Sequence, residues 1–156
     1  MRRLFIIAFA LIMGLSVMGT AHAATMNAAE GNAVVPKASF NHPRLLAFQL
    51  DSANPAKMNL VINNINNIMQ YYGQDNVKID LVAFGPGLKA YLKKSPVKAR
   101  IESLTAYPSV KLLACHNTMD KMKVTAKDLL PGVKVTPAGV VKLVELQLAG
   151  WTYIAP

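Results

Sequence analysis

A chain of 156 residues that is 53% hydrophobic and only 16% charged, with a formal net charge of +9, is too apolar to be disordered and long enough for one domain with its own core. Its single cysteine excludes a disulfide framework and any zinc site that needs two or more thiolates. The charge bears on partners, not on fold.

The chain opens with Met1-Arg2-Arg3, an apolar run from Leu4 to Met18, and Gly19-Thr20-Ala21-His22-Ala23. A basic start, an apolar middle and a small-x-small end are the three parts of a secretory signal. The apolar run is shorter than the roughly 20 residues that span a bilayer. The expectation is a signal peptide over residues 1–23, cleaved after Ala23 on the general export route. The product would be periplasmic in a Gram-negative cell, with no stable membrane insertion after cleavage. No cysteine lies near Ala23, which argues against a lipoprotein. Cleavage would remove two arginines and no acid, leaving 133 residues and a charge of +7. Residues 24–42 show no clear period and read as a tail or linker. Residues 43–156 read as a single domain.

In that domain Leu45 to Leu50 has the length and texture of a strand. Asn54 is a good helix N-cap, and Pro55 suits the first helical position. Met58, Val61, Ile62, Ile65, Ile68, Met69 and Tyr72 then step by three or four, predicting a helix that Gly73 ends. Its other face is rich in asparagine, a poor helix former, so burial of the apolar stripe must carry it. A second strand is predicted from Val77 to Phe84, closed by Gly85-Pro86-Gly87, with a helix starting over Leu88–Leu92. Ser95-Pro96 restarts a helix carrying Val97, Ile101 and Leu104. A third strand runs from Ser109 to Ala114 and ends at Cys115, and Asn117-Thr118 can cap a short helix through Met122. Thr125 to Asp128 looks like a capped turn. Val133 to Val135 is a short strand, Ala138 to Leu148 has helical spacing at Val140, Val141, Val144 and Leu148, and Trp151 to Ile154 is a last strand. Strands alternating with helices predict an α/β fold around a mostly parallel five-stranded sheet. Functional groups in such sheets gather at the carboxyl ends of the strands.

Two features fall at such ends. Cys115 closes a strand just before a helix N-terminus, whose unpaired N–H groups and partial positive charge favour a thiolate. Its other reading is a small buried hydrophobe. Gly85-Pro86-Gly87 would let a ligand or anion approach the backbone, although a tight strand-to-helix turn needs the same glycines. Lys89, Lys93, Lys94, Lys98 and Arg100 form a basic run. It reads by default as a solvated helix face and otherwise as a surface for an anionic partner or a membrane surface. With export expected and no reading motif, nucleic acid is not an expected partner. No metal site is expected, because His42 and His116 stand without a carboxylate at ligand spacing. No cofactor motif appears, and Met58, Met69, Met119 and Met122 read as core fillers.

Six segments in order resemble the DsrE/DsrF-like proteins. They are Lys57-Met58-Asn59-Leu60 with Asn63-Asn64, Val82 to Gly87, Ala114 to Met119, Asp128 to Val133, Pro137 to Val141, and Gly150 to Ile154. The resemblance runs from about Pro43 to Pro156. It implies a three-layer α/β/α sandwich around a five-stranded sheet, and homo-oligomers, trimers or hexamers, whose interfaces border a cysteine pocket. It also implies sulfur chemistry at Cys115, which would accept sulfane sulfur as a persulfide and act as a sulfur carrier or sulfurtransferase. Gly85, Pro86, Gly87, His116, Asn117 and Thr118 would then be binding residues. The partners would be a sulfur donor or acceptor protein or a small anion. The competing expectation is a non-catalytic oligomeric binding module in which Cys115 is structural.

Overall fold

Parallel strands cannot be joined by tight hairpins, so each needs a crossover of about a dozen residues or more. In this chain helical segments supply it. The computed structural model describes residues 36–156. The expected signal peptide over 1–23 and most of the expected tail lie outside the described residues. Strands β1 (Arg44–Leu50), β2 (Val77–Ala83), β3 (Val110–Cys115), β4 (Lys134–Thr136) and β5 (Thr152–Ile154) form one sheet in the order β4-β3-β2-β1-β5. Every neighbouring pair is parallel.

Alternation along the strands sorts their side chains onto two faces. On one face Leu46, Phe48, Leu50, Ile79, Leu81 and Leu112 join the larger core. Helix α1 (Pro55–Tyr72) lays Met58, Val61, Ile62, Ile65 and Met69 into it. The expected signals hold here. The Asn54 side chain accepts from the Ala56 N–H at 2.9 Å, Pro55 is the first helical residue, and Gly73 ends the helix at φ +85°. Two of its asparagines, Asn59 and Asn63, accept from the Arg100 guanidinium. Helix α2 (Lys98–Leu104) adds Ile101 and Leu104 to the same core, and helix α3 (His116–Met122) adds Met119.

The other face carries a much smaller cluster. Ala47, Val82 and Leu113 are covered by Leu143 and Leu146 of helix α4 (Gly139–Leu148). The fold is therefore a three-layer α/β/α sandwich with unequal layers. Val140, Val141, Val144 and Leu148, which give this segment its helical spacing, point away from the sheet and are 47–80% exposed. The helix is apolar on both sides, so spacing alone could not tell which stripe would be buried. Asp80 is buried among the strands with one carboxylate oxygen lacking a hydrogen-bond partner. Burial pushes its pKa up, against the opposing pull of Lys111, Lys142 and Lys134.

Three local expectations are corrected. Leu88–Leu92 does not start an α-helix. Gly85–Tyr91 is a 3₁₀ segment, and the chain then turns extended at Leu92. The Tyr91 carbonyl accepts from the Leu130 N–H at 2.8 Å, and Leu92 bridges to Leu129, so these backbone groups are committed outside any helix. The next helix begins at Lys98, past Ser95-Pro96, with the Ser95 hydroxyl accepting from the Val97 N–H. Finally, α3 starts at His116, which makes Cys115 its cap in place of Asn117 or Thr118. The expected capped turn does form. The Asp128 carboxylate accepts from both the N–H and the hydroxyl of Thr125. Among the described residues no helix is long and apolar enough to cross a membrane.

Gly87 is a packing residue. A Cβ there would lie 2.0 Å from the Leu50 carbonyl oxygen and 2.8 Å from the Asp51 nitrogen, both backbone atoms. Gly87→Ala must force the 3₁₀ segment off the end of β1. The expected cost is on the order of 1–3 kcal/mol, read as a lower urea midpoint at unchanged slope.

Candidate functional site

The sheet order dictates which face each connection takes. The connections from β1 to β2, β2 to β3 and β3 to β4 all advance in one direction, and the connection from β4 to β5 returns in the other. Right-handed crossovers then place α1, α2 and α3 on one face and α4 on the opposite face. The connections that leave the carboxyl ends of β3 and β4 therefore take opposite faces, and there Cys115 pairs in register with Thr136. Ligands of open α/β sheets bind outside the carboxyl ends of the strands.

At this point the starts of α3 and α4 approach one sulfur from opposite sides of the sheet. Burial by itself would raise the Cys115 pKa. Hydrogen bonds from the Thr118 hydroxyl, then from the backbone N–H groups of Gly139, Thr118 and Asn117, more than offset it, and the thiol is held below its ordinary value. The Thr118 hydroxyl also accepts from the Gly85 N–H at 2.9 Å. It thus stands as a relay of hydrogen bonds, accepting one from the backbone and donating one to the sulfur. Cys115 is buried, with 5% of its surface exposed.

The sequence-predicted residues separate in the fold. Cys115, Thr118 and the Asn117 N–H gather at the sulfur, and Gly85 joins them through Thr118. Gly85 adopts φ +49°, a conformation that favours glycine, and its Cβ position is open. Pro86 is exposed beside it and lines a cleft, whereas Gly87 is buried against β1 and offers nothing to a ligand. His116 is exposed and turned to Asp120, with Nδ1 3.2 Å from the carboxylate. That pairing shows that a carboxylate does lie one helical turn from His116, contrary to the spacing expectation. No cluster of three metal-ligating side chains occurs among the described residues.

The site also includes residues that sequence reasoning missed. Gly139 is one. Its N–H reaches the sulfur, and a Cβ there would lie 3.0 Å from the Phe84 Cβ and 3.2 Å from the Cys115 Cβ. The available signal was a glycine opening a predicted helix after a strand, the same pattern that drew attention to Gly85. The others line a cleft of about 520 Å³, walled by Phe84, Pro86, Thr118 and Met122, with Lys89 and Lys121 beside them. Thr118 belongs to both places, one wall of the cleft and the sulfur's hydrogen-bond shell.

A model of the DsrE/DsrF-like family matches residues 45–156. Among solved structures, the chain is similar to a protein of unknown function, MTH1491 from Methanobacterium thermoautotrophicum. The two share 31% identity and a TM-score of 0.69, covering 72% of this chain and 99% of that one. It also resembles the ychN protein from E. coli at 15% identity and a TM-score of 0.62, again covering 72% and 99%, a likeness of fold alone. No curated protein matches the chain.

The relay makes a directional prediction. Thr118→Val removes the hydroxyl, so the Cys115 thiol should titrate at higher pH, and Thr118→Ser should restore most of the depression. Thiolate ultraviolet absorbance against pH measures both. An unchanged titration in Thr118→Val would show that the backbone donors suffice.

Proposed function

Because its residues 45–156 place the chain in the DsrE/DsrF-like family, which is linked in general to sulfur relay, we propose that it is an exported sulfur carrier or sulfurtransferase acting through Cys115. The observation that carries this reading is the place of Cys115 at the carboxyl end of β3, capping α3 and packed against Gly139 at the start of α4, where its thiol is held below its ordinary pKa. Four donors converge on it from α3 and α4, and they stabilise the anion that attacks sulfur. In the step itself the Cys115 thiolate bonds to a sulfane sulfur of the donor. The donor's sulfur–sulfur bond breaks, and its remainder leaves with the electron pair. A persulfide on Cys115 would be stabilised by the same donors and passed on to an acceptor. The 5% exposure of Cys115 favours the competing reading, a non-catalytic oligomeric binding module in which the cysteine only packs.

Intact mass decides between them. Incubated with polysulfide or thiosulfate, the protein should gain the mass of one sulfur atom, and Cys115→Ser should gain none. If Cys115 takes up no sulfur while an accessible control thiol does, the carrier role is lost.

The same reading includes periplasmic export and a homo-oligomer, a trimer or hexamer. Support for self-association comes from the exposed stripe of Val140, Val141, Val144 and Leu148 on α4. Light scattering should give a multiple of the protomer mass that falls to one protomer in a Val144→Glu, Leu148→Glu variant. A monomer across micromolar concentrations would overturn it.

A further inference from the structure

The basic run noted in the sequence divides in the fold. Lys98 turns to Glu102 at 3.8 Å, and Arg100 is held by Asn59 and Asn63. Lys89, Lys93 and Lys94 go elsewhere and meet Lys121 and Lys123 from the end of α3. Lys89 and Lys121 flank the cleft beside Thr118, and Lys93, Lys94 and Lys123 line a second cleft next along the chain. Two acids stand beside them, Asp120 against His116 and Asp128 against Thr125 and Lys93, so the lysines outnumber the carboxylates five to two. Among the described residues none of these five lysines forms an ion pair.

Resting on the reading of Cys115 as sulfur acceptor, we propose that this cleft receives its donor as a small inorganic dianion with a terminal sulfane sulfur, with Lys89 and Lys121 setting that specificity. Thiosulfate and polysulfide share this chemistry. A thiolate attacking a dianion is a like-charge encounter, which is unfavourable unless cations stand beside it. Two ammonium groups at the cleft mouth provide them, and the other three lysines extend the attractive field. The walls of Phe84, Pro86 and Met122 suit the polarisable sulfur end, while the lysines take the charged end. Cys115 itself is 5% exposed, and Thr118, which lines the cleft and donates to the sulfur, is the proposed link between the two reactants. With thiosulfate, the Cys115 sulfur bonds to the outer sulfur, the sulfur–sulfur bond breaks, and sulfite departs with the bonding pair. Cys115 is left as a persulfide anion, total charge is unchanged, and no oxidant or reductant is needed.

Two alkylating reagents of one chemistry and different charge test this. The ratio of Cys115 alkylation rates, iodoacetate over iodoacetamide, should exceed that of glutathione by about tenfold at low ionic strength. It should collapse towards the glutathione ratio in Lys89→Gln, Lys121→Gln protein and in high salt. A ratio equal to that of glutathione, or one that the double variant leaves unchanged, overturns the proposal. If Cys115 reacts with neither reagent, the acceptor reading fails, and thiosulfate calorimetry on Cys115→Ser then judges the cleft separately. Binding that disappears in the triple variant lacking both lysines sustains the anion site, and the absence of binding overturns it.

Discussion

One constraint organises this molecule, the reversal of direction after β4. Parallel strands must be joined by right-handed crossovers, so a chain that adds strands one way and then returns must change faces. Here the change brings α4 to the face opposite α1, α2 and α3, and it happens beside the last residue of β3. Two helix starts therefore point at one place. Had β5 been added beyond β4, α4 would have stayed on the first face, and the Gly139 N–H would not reach the Cys115 sulfur. The hydrogen-bond shell is thus a property of topology, made usable by a glycine where α4 begins, because any Cβ there would press on Phe84 and Cys115.

The same reversal explains the unequal layers. One face is covered by three helices and a 3₁₀ segment that carries the fully buried Tyr91, whose hydroxyl donates to the Leu81 carbonyl. The other is covered by one helix of ten residues. A single short helix cannot shield a five-stranded sheet. The thin side accordingly holds the features that a closed core would not, a buried carboxylate at Asp80 with an unpartnered oxygen and an apolar stripe left facing out. The stripe leaves the outer side of α4 apolar, whereas Asp80 lies beneath at 3% exposure.

Chemistry at the site follows from a competition of opposing effects. Burial of Cys115 disfavours its thiolate, and four hydrogen-bond donors favour it, with the donors prevailing. Thr118 is the pivot, since its hydroxyl couples the Gly85 backbone to the sulfur and its position couples the sulfur to the lysine-flanked cleft. A pre-organised polar shell in a nearly closed place is the arrangement by which proteins stabilise an anion without reorganising at the moment of reaction.

The sequence by itself determined the class and most of the elements. The α1 signals Asn54, Pro55 and Gly73, the apolar strand runs and the Thr125–Asp128 turn are local effects, decided by capping, φ preferences and periodicity within a few residues. It also placed Cys115 and the Gly85 turn at carboxyl ends of strands. It could not assign roles within those segments. His116, adjacent to the cysteine, is turned to Asp120, and Gly87, two residues from Gly85, is spent on packing against Leu50. Nor could periodicity choose between the two apolar stripes of α4, or place Lys121 and Gly139 beside residues more than twenty positions away. Those outcomes depend on which face each crossover takes and which backbone groups meet across the sheet. They are non-local, and only the tertiary structure decided them.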